Sequence, residues 1–318
     1  MVINMLEFYK TVNNITKKID QVEPGCWISA IAPTEEEKSF LISELGVMPE
    51  FVNASLDADE SAHIDYDDDF DQTLVIFDYP SAEEDSENYK HSTLKYTTLP
   101  LGVVLTHEHI ITICLYENYN INDMCNGTVK GVNTNQKTRF LLLLLLRISQ
   151  RFLIYLRQID RLSSFTEKKL RKLMQNQEII QMLGFEKSLV YFNASLKNDE
   201  ITLNKIMRGK IIKLYEEDED LLEDVLIEVR QATEMCNIYS NTLSSTMDAY
   251  ASIISNNLNN VMKALTVLTI VMEIPNIVFS YYGMNVSGLP FPFAWFPILF
   301  AFCVCGIAAF IFKKKDMF

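Results

Sequence analysis

Motifs of catalysis and of nucleotide binding are missing from this chain of 318 residues. It contains no glycine-rich phosphate loop, no Gly-x-Ser-x-Gly and no His-Glu-x-x-His, so we expect no enzymatic activity. An excess of positive charge is missing too, since 28 Lys and Arg stand against 42 Asp and Glu, for a net charge of −14. Nucleic-acid binding needs a basic surface, and the composition therefore argues against that class of protein.

Cysteine spacing typical of a disulfide framework or a zinc site is absent as well. None of the six cysteines belongs to a Cys-x-x-Cys pair, and Cys303 and Cys305 would point to different sides of a helix. Small apolar side chains buried in a reducing compartment explain this scatter better than disulfides do. The first residues, "MVINMLEFYKTVNN", have no basic start before an apolar core, and we expect no signal peptide.

Acidic residues dominate the first third of the chain. Residues 1–120 hold 23 Asp and Glu against 6 Lys and Arg, whereas residues 121–260 hold 17 against 18. The natural counterparts of such a block are cations. The aspartates from Asp65 to Asp71 lack the glycine and terminal glutamate of an EF-hand, so we interpret them as a solvated turn rather than a Ca²⁺ site. His107 and His109 resemble a metal-binding pair, but a solvated turn between two strands is the simpler interpretation.

Charge almost disappears near the end of the chain. Between Ala264 and Phe312 a single charged residue, Glu273, occurs in 49 residues. The first apolar stretch ends at Tyr282 after 19 residues, and as a helix it would extend ~28 Å, which matches a bilayer core of ~30 Å. We therefore predict a first membrane span over about 262–282. A buried helical hairpin of a soluble protein is the alternative.

A second apolar stretch covers residues 291–312. Pro292 and Pro297 fall within its first two turns, where a helix tolerates proline best. The lysines at 313–315 follow at once, and a basic cluster beside a membrane segment marks the cytoplasmic side. The prediction is a protein of the cell (inner) membrane with both termini in the cytoplasm and only the uncharged loop 283–290 outside.

Polar residues of the first span fall on one side of the predicted helix. Steps of three and four residues connect them, and at ~100° per residue they stay within about 120° of its circumference. This polar stripe comprises Asn259, Met262, Thr266, Thr269, Glu273, Asn276, Ser280 and Gly283. Lipid offers no hydrogen-bond partners, so the stripe must face protein or water.

Two explanations of the polar stripe stay open on its pattern alone. Small and polar residues also gather in seams between membrane helices. A water-filled pore, in contrast, requires an oligomer, because two spans cannot enclose water. Glu273 favours the pore, since a carboxylate at mid-depth costs a few kcal/mol unless it is hydrated, paired or protonated. The stripe therefore predicts an oligomer in which this helix lines a central axis.

The end of the first span resembles a known family. The stretch "NNLNNVMKALTVLTIVMEIPNIVFSYYGMNV" resembles the inner helix and signature of the CorA-type magnesium channels, whose hallmark is Gly-Met-Asn after an aromatic residue. Here the signature is Gly283, Met284 and Asn285 after Tyr282. "LPFPFAWF", a second span and terminal lysines follow as in that family, and "SLVYFNASLKNDE" at 188–200 resembles its segment joining two long cytosolic helices. The resemblance covers nearly the whole chain.

The resemblance implies roles for the pore residues. The asparagine of the signature is the family's selectivity site, which implies that a ring of Asn285 side chains binds hydrated Mg²⁺. A neutral ring suits this ion, because Mg²⁺ gives up its inner waters reluctantly and must also be released. The family's apolar constriction matches Met262 and Leu265, for which ordinary helix packing is the alternative, and Asn259 matches the cytosolic entrance. Gly283 is expected to allow a tight turn.

A regulatory Mg²⁺ site in the cytosol is also implied by the resemblance. Asp224 and Asp248 match acidic positions at which the family holds Mg²⁺ between subunits, and Glu83 or Glu84 is the candidate N-terminal partner. Facing carboxylates repel one another, so a divalent ion between them removes that repulsion and locks the assembly closed. Loss of the ion at low internal Mg²⁺ then opens the pore.

The expected architecture is CorA-like. It comprises an α/β cytosolic domain (1–130), a cytosolic helical bundle with a stalk helix (131–260) and a transmembrane pore domain (261–318). "CWISAIA" and "TLVIFDYP" predict strands, "LGVVLTHEHIITICL" predicts a hairpin, and "TEEEKSFLISELG" predicts a helix capped by Thr34. The leucine run in "TRFLLLLLLRISQ" is interrupted by arginines and predicts a buried bundle helix. The stalk helix is expected from about Leu221, with a kink at Pro275.

These features predict a membrane channel or transporter for divalent cations, chiefly Mg²⁺, with Co²⁺ and Ni²⁺ as further candidate ions. The resemblance implies a homopentamer that responds to cytosolic Mg²⁺. Two alternatives stay open. One is a proton-coupled zinc transporter of the same superfamily, for which Glu273 would carry the proton, since relatives often have an apolar residue at that position. The other is a membrane-tethered sensor that conducts no ions.

Overall fold

Residues 6–13, 15–84, 94–173, 176–209, 211–285, 290–291, 293 and 295–315 are described by the structure, a computed structural model. The chain divides into two compact units, Met1–Ser244 and Ser245–Phe318. The strands are β1 Leu6–Val12, β2 Ile15–Ile19, β3 Trp27–Ile31, β4 His63–Asp67, β5 Gln72–Glu84, β6 Leu94–Leu105 and β7 Ile110–Cys114. The helices are α1 Glu35–Ser43, α2 Pro49–Ser55, α3 Tyr119–Cys125, α4 Lys137–Leu173, α5 Asn176–Met207, α6 Glu216–Tyr282 and α7 Phe296–Lys314.

The first unit is built on a seven-stranded sheet with the order β2-β1-β3-β7-β6-β5-β4. All neighbouring strands are antiparallel except β3 and β7, which run parallel. The predicted strands are confirmed as β3 and β5, and the predicted hairpin is confirmed as β6 and β7. The α/β fold expected for the N-terminal part is therefore present.

Helix α1 begins at the predicted cap. The Glu37 N–H donates to Thr34 Oγ1 (3.3 Å), and the Thr34 N–H donates to the Glu37 carboxylate (2.8 Å), which forms a capping box. Gly46 follows the helix with φ of +66°, a conformation that glycine adopts without strain. Leu41 of α1 and Phe51 of α2 are buried in an apolar core that α1 and α2 share with the sheet.

Helix α4 carries the leucine run, and the prediction of a buried bundle helix is confirmed. Phe140 and the leucines from 141 to 145 are buried, and the Phe140 ring lies 4.9 Å from Trp27 of β3. The interrupting arginines have a structural partner, because Arg147 and Arg151 both bind the Asp123 carboxylate of α3 at 2.7 Å. These ion pairs fix α3 against α4.

Two sequence-based expectations for the first unit are wrong. The segment 188–200 does not join two helices but lies inside α5, where its residues at 188, 192, 195 and 199 are buried. This three-to-four spacing without glycine or proline is that of an amphipathic helix. His109 is not solvated but 8% exposed, and its Nδ1 lies 3.4 Å from Cys26 Sγ, because β7 starts there inside the sheet.

Helix α6 begins at Glu216, earlier than the predicted Leu221. Four acids from Glu216 to Glu219 occupy its first turn, where negative charge stabilises the helix dipole. Arg139 of α4 pairs with Asp218 at 3.1 Å and anchors this start. The acidic run is therefore part of the helix rather than a loop before it.

The second unit contains the remainder of α6 together with α7. Each of the two helices includes an 18-residue window that is long and apolar enough to cross a membrane. Helix α7 begins at Phe296 rather than at Phe291, because Phe291 has φ of +51°, which no helix accommodates. Pro297 then lies in the first turn of α7, where its missing N–H leaves no hydrogen bond unmade.

Pro275 lies inside α6 without ending the helix. A proline has no N–H to donate, so the carbonyl of Val271, four residues earlier, loses its helical partner. The Cys305 thiol of α7 lies 3.6 Å from that carbonyl oxygen and donates to it. The second helix thus compensates for the defect in the first.

Candidate ion pathway

The polar stripe of α6 is exposed along its whole length in a single chain. Its polar members from Asn259 to Ser280 are all exposed, and so are the apolar Met262 and Leu265, at 53% and 55%. Exposed polar groups on a membrane helix need water or another subunit as their neighbour. The surface is thus available to a partner outside the chain.

The buried side of α6 in this unit is a different one. Val267 and Val278 are buried, and Ala301 is buried on α7, where small residues allow close helix packing. At ~100° per residue the centre of this seam lies about 150° from the centre of the polar stripe. The stripe is therefore not the seam between the two helices of one chain.

Hydroxyl groups of the polar stripe are oriented by the helix itself. Thr266 Oγ1 donates to the Met262 carbonyl and Thr269 Oγ1 donates to the Leu265 carbonyl, each at 2.8 Å. Because each hydroxyl hydrogen is directed at the backbone, the oxygen keeps its lone pairs for an outside donor. Water molecules around a cation are such donors.

Glu273 and Asn276 form a pair on the polar stripe. Asn276 Nδ2 donates to Glu273 Oε1 at 3.2 Å, and both side chains are exposed. The bond directs the amide hydrogens toward the carboxylate and leaves the amide oxygen of Asn276 free to accept. Each chain therefore offers one carboxylate and one amide oxygen within a single helical turn.

The Gly-Met-Asn signature follows directly on the end of α6. The Gly283 N–H donates to the Phe279 carbonyl at 2.9 Å, and Asn285 is exposed. Gly283 does not adopt the left-handed conformation; instead, a Cβ at this position would lie 3.2 Å from the Phe279 oxygen, tighter than usual. Gly283 lies in the turn that follows α6, and the close backbone approach is a further reason for glycine at this position.

Tyr282 has a role that the sequence reasoning did not identify. Its hydroxyl donates to the Pro290 carbonyl at 3.0 Å, and its ring lies 6.2 Å from that of Phe296 at the start of α7. The bond connects the two ends of the segment 283–290. The signal in the sequence was the aromatic residue immediately before the signature.

The predicted regulatory acids are distributed over both units of the chain. Asp224 is exposed in the first unit, and Asp248 is exposed in the second. In the parts of the chain that the structure describes, no three His, Cys, Asp or Glu side chains gather as metal ligands. Glu83 and Glu84 end β5, paired with Lys95 and Leu94, and their side chains lie outside the description.

Comparison with known proteins places the chain in a family. The model of the "CorA-like Mg2+ transporter protein" family matches residues 23–314. A cobalt/magnesium transport protein CorA of Methanocaldococcus jannaschii is 26% identical over 301 residues, 91% of this chain and 90% of that protein. The complete structure of the CorA magnesium transporter from that organism aligns with a TM-score of 0.81 and 23% identity, over 99% of this chain and 98% of the other.

A more distant fold likeness comes from the cytoplasmic domain of ZntB from Vibrio parahaemolyticus. It aligns with a TM-score of 0.59 and 8% identity, over 79% of this chain and 98% of that domain. The likeness shows a shared fold only. The family match, in contrast, covers most of the residues and both apolar helices. This chain belongs to the CorA-like Mg²⁺ transporter protein family.

Proposed function

We propose that this protein is a channel for divalent cations, chiefly Mg²⁺, in the cell membrane, with no enzymatic activity. The observation that carries the proposal is the polar stripe of α6 on the side opposite α7. In a homopentamer, as the family resemblance implies, five such stripes would enclose a hydrated path. Met262 and Leu265 would form its apolar constriction, and Asn285 would form the selectivity ring at the outer mouth.

Cytosolic Mg²⁺ would control this channel. Asp224 and Asp248 lie exposed on α6, where carboxylates of adjacent subunits would share an ion, with Glu83 or Glu84 as the third partner. Binding of the ion would cancel the repulsion between the carboxylates and favour the closed assembly. The lysine cluster 313–315 at the end of α7 supports a cytoplasmic C-terminus.

Cysteine accessibility tests the conducting path. We expect Thr269→Cys and Asn276→Cys to react with a small aqueous thiol reagent in the membrane-embedded protein, because both positions would line water. Phe302→Cys is the matched control, since Phe302 of α7 is 75% exposed and would face lipid. The background carries Cys303→Ala and Cys305→Ser, which removes the native thiols of α7 and keeps a hydrogen-bond donor for the Val271 carbonyl. A reactive control beside unreactive stripe positions would contradict a pore along this helix.

A second candidate function is proton-coupled transport of zinc. One observation favours it: a carboxylate at mid-span, Glu273. As a proton carrier at this depth, Glu273 must gain and lose a proton during each transport cycle. In a channel, the ring of Glu273 carboxylates needs only to attract cations. The two functions therefore differ in their need for a pH gradient.

Replacing Glu273 with glutamine separates the two candidates. If the protein is a channel, we expect the glutamine variant to take up Mg²⁺ into proteoliposomes without a pH gradient. Its half-saturating Mg²⁺ concentration should rise roughly threefold to tenfold, because the carboxylate ring that concentrates divalent cations is lost. Glu273→Asp is the control that keeps the charge. Zinc uptake that requires a proton gradient in the wild type and loses this requirement in the glutamine variant would establish the alternative. Absence of all flux would point to a non-conducting sensor.

A further inference from the structure

A cluster of buried polar side chains lies where α5 crosses β5. Strand β4 pairs with β5 only as far as His63 and Ile76, so Asp78 lies beyond the end of β4. The Asp78 N–H donates to Asp199 Oδ1 of α5 at 3.0 Å. The Asp199 carboxyl group of α5 thus caps the edge of β5 beyond the end of β4.

Both carboxyl groups of this cluster are enclosed. Asp199 is 0% exposed and Asp78 is 7% exposed. Ser195 and Thr202, at positions i−4 and i+3 from Asp199, extend the same side of α5, and Ser195 Oγ bonds Thr98 Oγ1 of β6 at 2.9 Å. Within the described residues, Asp199 Oδ2 and Thr202 Oγ1 have no hydrogen-bond partner. The two acids therefore share a buried site, and neither takes part in an ion pair with any residue in the described ranges.

Burial shifts the titration of both acids in the same direction. It raises the pKa of Asp78 to about 6, although the hydrogen bond with Ser195 opposes the shift. Burial, and next the charge of Asp78, raise the pKa of Asp199 well above the usual aspartate range, against the bond from the Asp78 N–H. Ionising both groups at once would place two like charges in a medium that screens poorly.

The other titratable groups considered on the elements packed around the cluster are neutral, bonded elsewhere or located on another side of α5. Tyr96 of β6 and Tyr155 of α4 have a raised pKa through burial, and their hydroxyls stay neutral. His63 of the edge strand β4 bonds the Ser61 carbonyl. On α5, Lys197 lies about 160° and Glu200 about 100° around the helix from Asp199 at ~100° per residue, so both point away from the cluster. The acids therefore titrate as a pair.

We propose that Asp78 and Asp199 form a proton-binding site that holds α5 against the sheet, so that this contact loosens as the pH of the compartment rises. A proton suits the enclosure better than Mg²⁺ does, because Mg²⁺ retains several waters and needs room for them. The inference concerns the first unit and does not depend on the proposed ion conduction.

The opposite side of α5 gives this site a connection to α6. Contacts recur there every seven residues of both helices: Glu186 with Ser244, Asn193 with Asn237 and Glu200 with Arg230. The Asn193–Asn237 contact measures 2.6 Å and the Glu200–Arg230 contact 2.9 Å. A shift of α5 on the sheet would therefore also act on the first part of α6.

The sign of the pH effect follows from the raised pKa values. Below the ordinary pKa range of aspartate, the bound protons stabilise the folded protein fully. For Asp78 this stabilisation is lost as the pH rises from about 4 through its folded-state pKa of about 6. For Asp199, whose folded-state pKa is raised well above the usual range, the loss continues to higher pH. For the full-length protein in detergent, we expect the apparent unfolding midpoint to fall by roughly 10 °C between pH 5 and pH 8.

Replacing Asp199 with asparagine tests the site. Asparagine keeps the shape and cannot ionise, so we expect Asp199→Asn to match the wild type at pH 5, to exceed its midpoint at pH 8 and to flatten the pH dependence. The infrared band of protonated carboxyl groups at pH 5 should also lose intensity on this substitution, because only Asp78 of the pair is left to contribute to it. Asp20→Asn, at an exposed aspartate, is the matched control and should change neither readout.

Three outcomes would overturn the proposal. Equal destabilisation by Asp199→Asn at pH 5 and pH 8 would mean a purely structural role for the carboxyl group. An infrared band of undiminished intensity at pH 5 in both Asp199→Asn and Asp78→Asn would place the proton elsewhere. A rise of the wild-type midpoint at pH 8 on adding Mg²⁺, absent from Asp199→Asn, would make the cluster a cation site instead.

Discussion

Replacing Asn285 with alanine is expected to reduce Mg²⁺ uptake by proteoliposomes about tenfold or more, because the outer ring would lose the amide oxygens that accept hydrogen bonds from the waters of the ion. Asn285 is exposed shortly after the end of α6. The residues 283–284 that precede it have no charged side chain that could bind the ion in its place. Uptake is measured with a Mg²⁺ indicator inside the vesicles, without a pH gradient.

The control for this experiment is Asn260→Ala. Asn260 is an exposed asparagine of the same helix, but it lies about 160° from the centre of the polar stripe at ~100° per residue. Its loss should leave uptake unchanged. Equal uptake by Asn285→Ala and the wild type, in preparations of the same subunit mass, would show that selection of the ion occurs elsewhere on the chain.

Charge reversal at the two regulatory positions is expected to weaken closure by internal Mg²⁺. The double variant Asp224→Lys, Asp248→Lys removes the ligands that adjacent subunits would share, so the internal Mg²⁺ concentration that halves the flux should rise about tenfold or more. The measurement is uptake at a series of Mg²⁺ concentrations preloaded into the vesicles.

Two further variants separate ligand loss from charge change. The double variant with asparagine at positions 224 and 248 removes the charges without adding new ones and should weaken closure as well. Asp220→Lys reverses an exposed charge in the acidic run at the start of α6 and should have no effect on closure. Inhibition that is the same in all four proteins would remove Asp224 and Asp248 from the sensor.

Local patterns predicted those parts of the fold that local interactions determine. The capping box of Thr34 and Glu37 depends on residues three apart in the chain. The helix that carries the leucine run, α4, could be predicted from its own apolar pattern and its arginines. The polar stripe of α6 was evident for the same reason, since one helix carries all of it. Its assignment to a side away from α7 needed the structure, because that depends on which residues the second helix covers.

Contacts between distant segments were not predictable from the sequence. Asp78 and Asp199 are 121 positions apart, and nothing around either residue indicates that a strand ends early and leaves an edge for α5 to cap. The burial of His109 beside Cys26 likewise depends on the parallel pairing of β3 with β7. The resemblance misplaced the segment 188–200 because it described a position in the family rather than the periodicity of these residues.

The bond between Cys305 and Val271 links two positions that are far apart in the chain. The thiol is needed only because Pro275 leaves the Val271 carbonyl without a partner in a medium that supplies none. Any residue with an N–H at position 275 would restore the helical bond and release the thiol from this task. Among relatives, substitutions at positions 275 and 305 should therefore occur together. Such covariation would be an evolutionary sign that the two helices are neighbours.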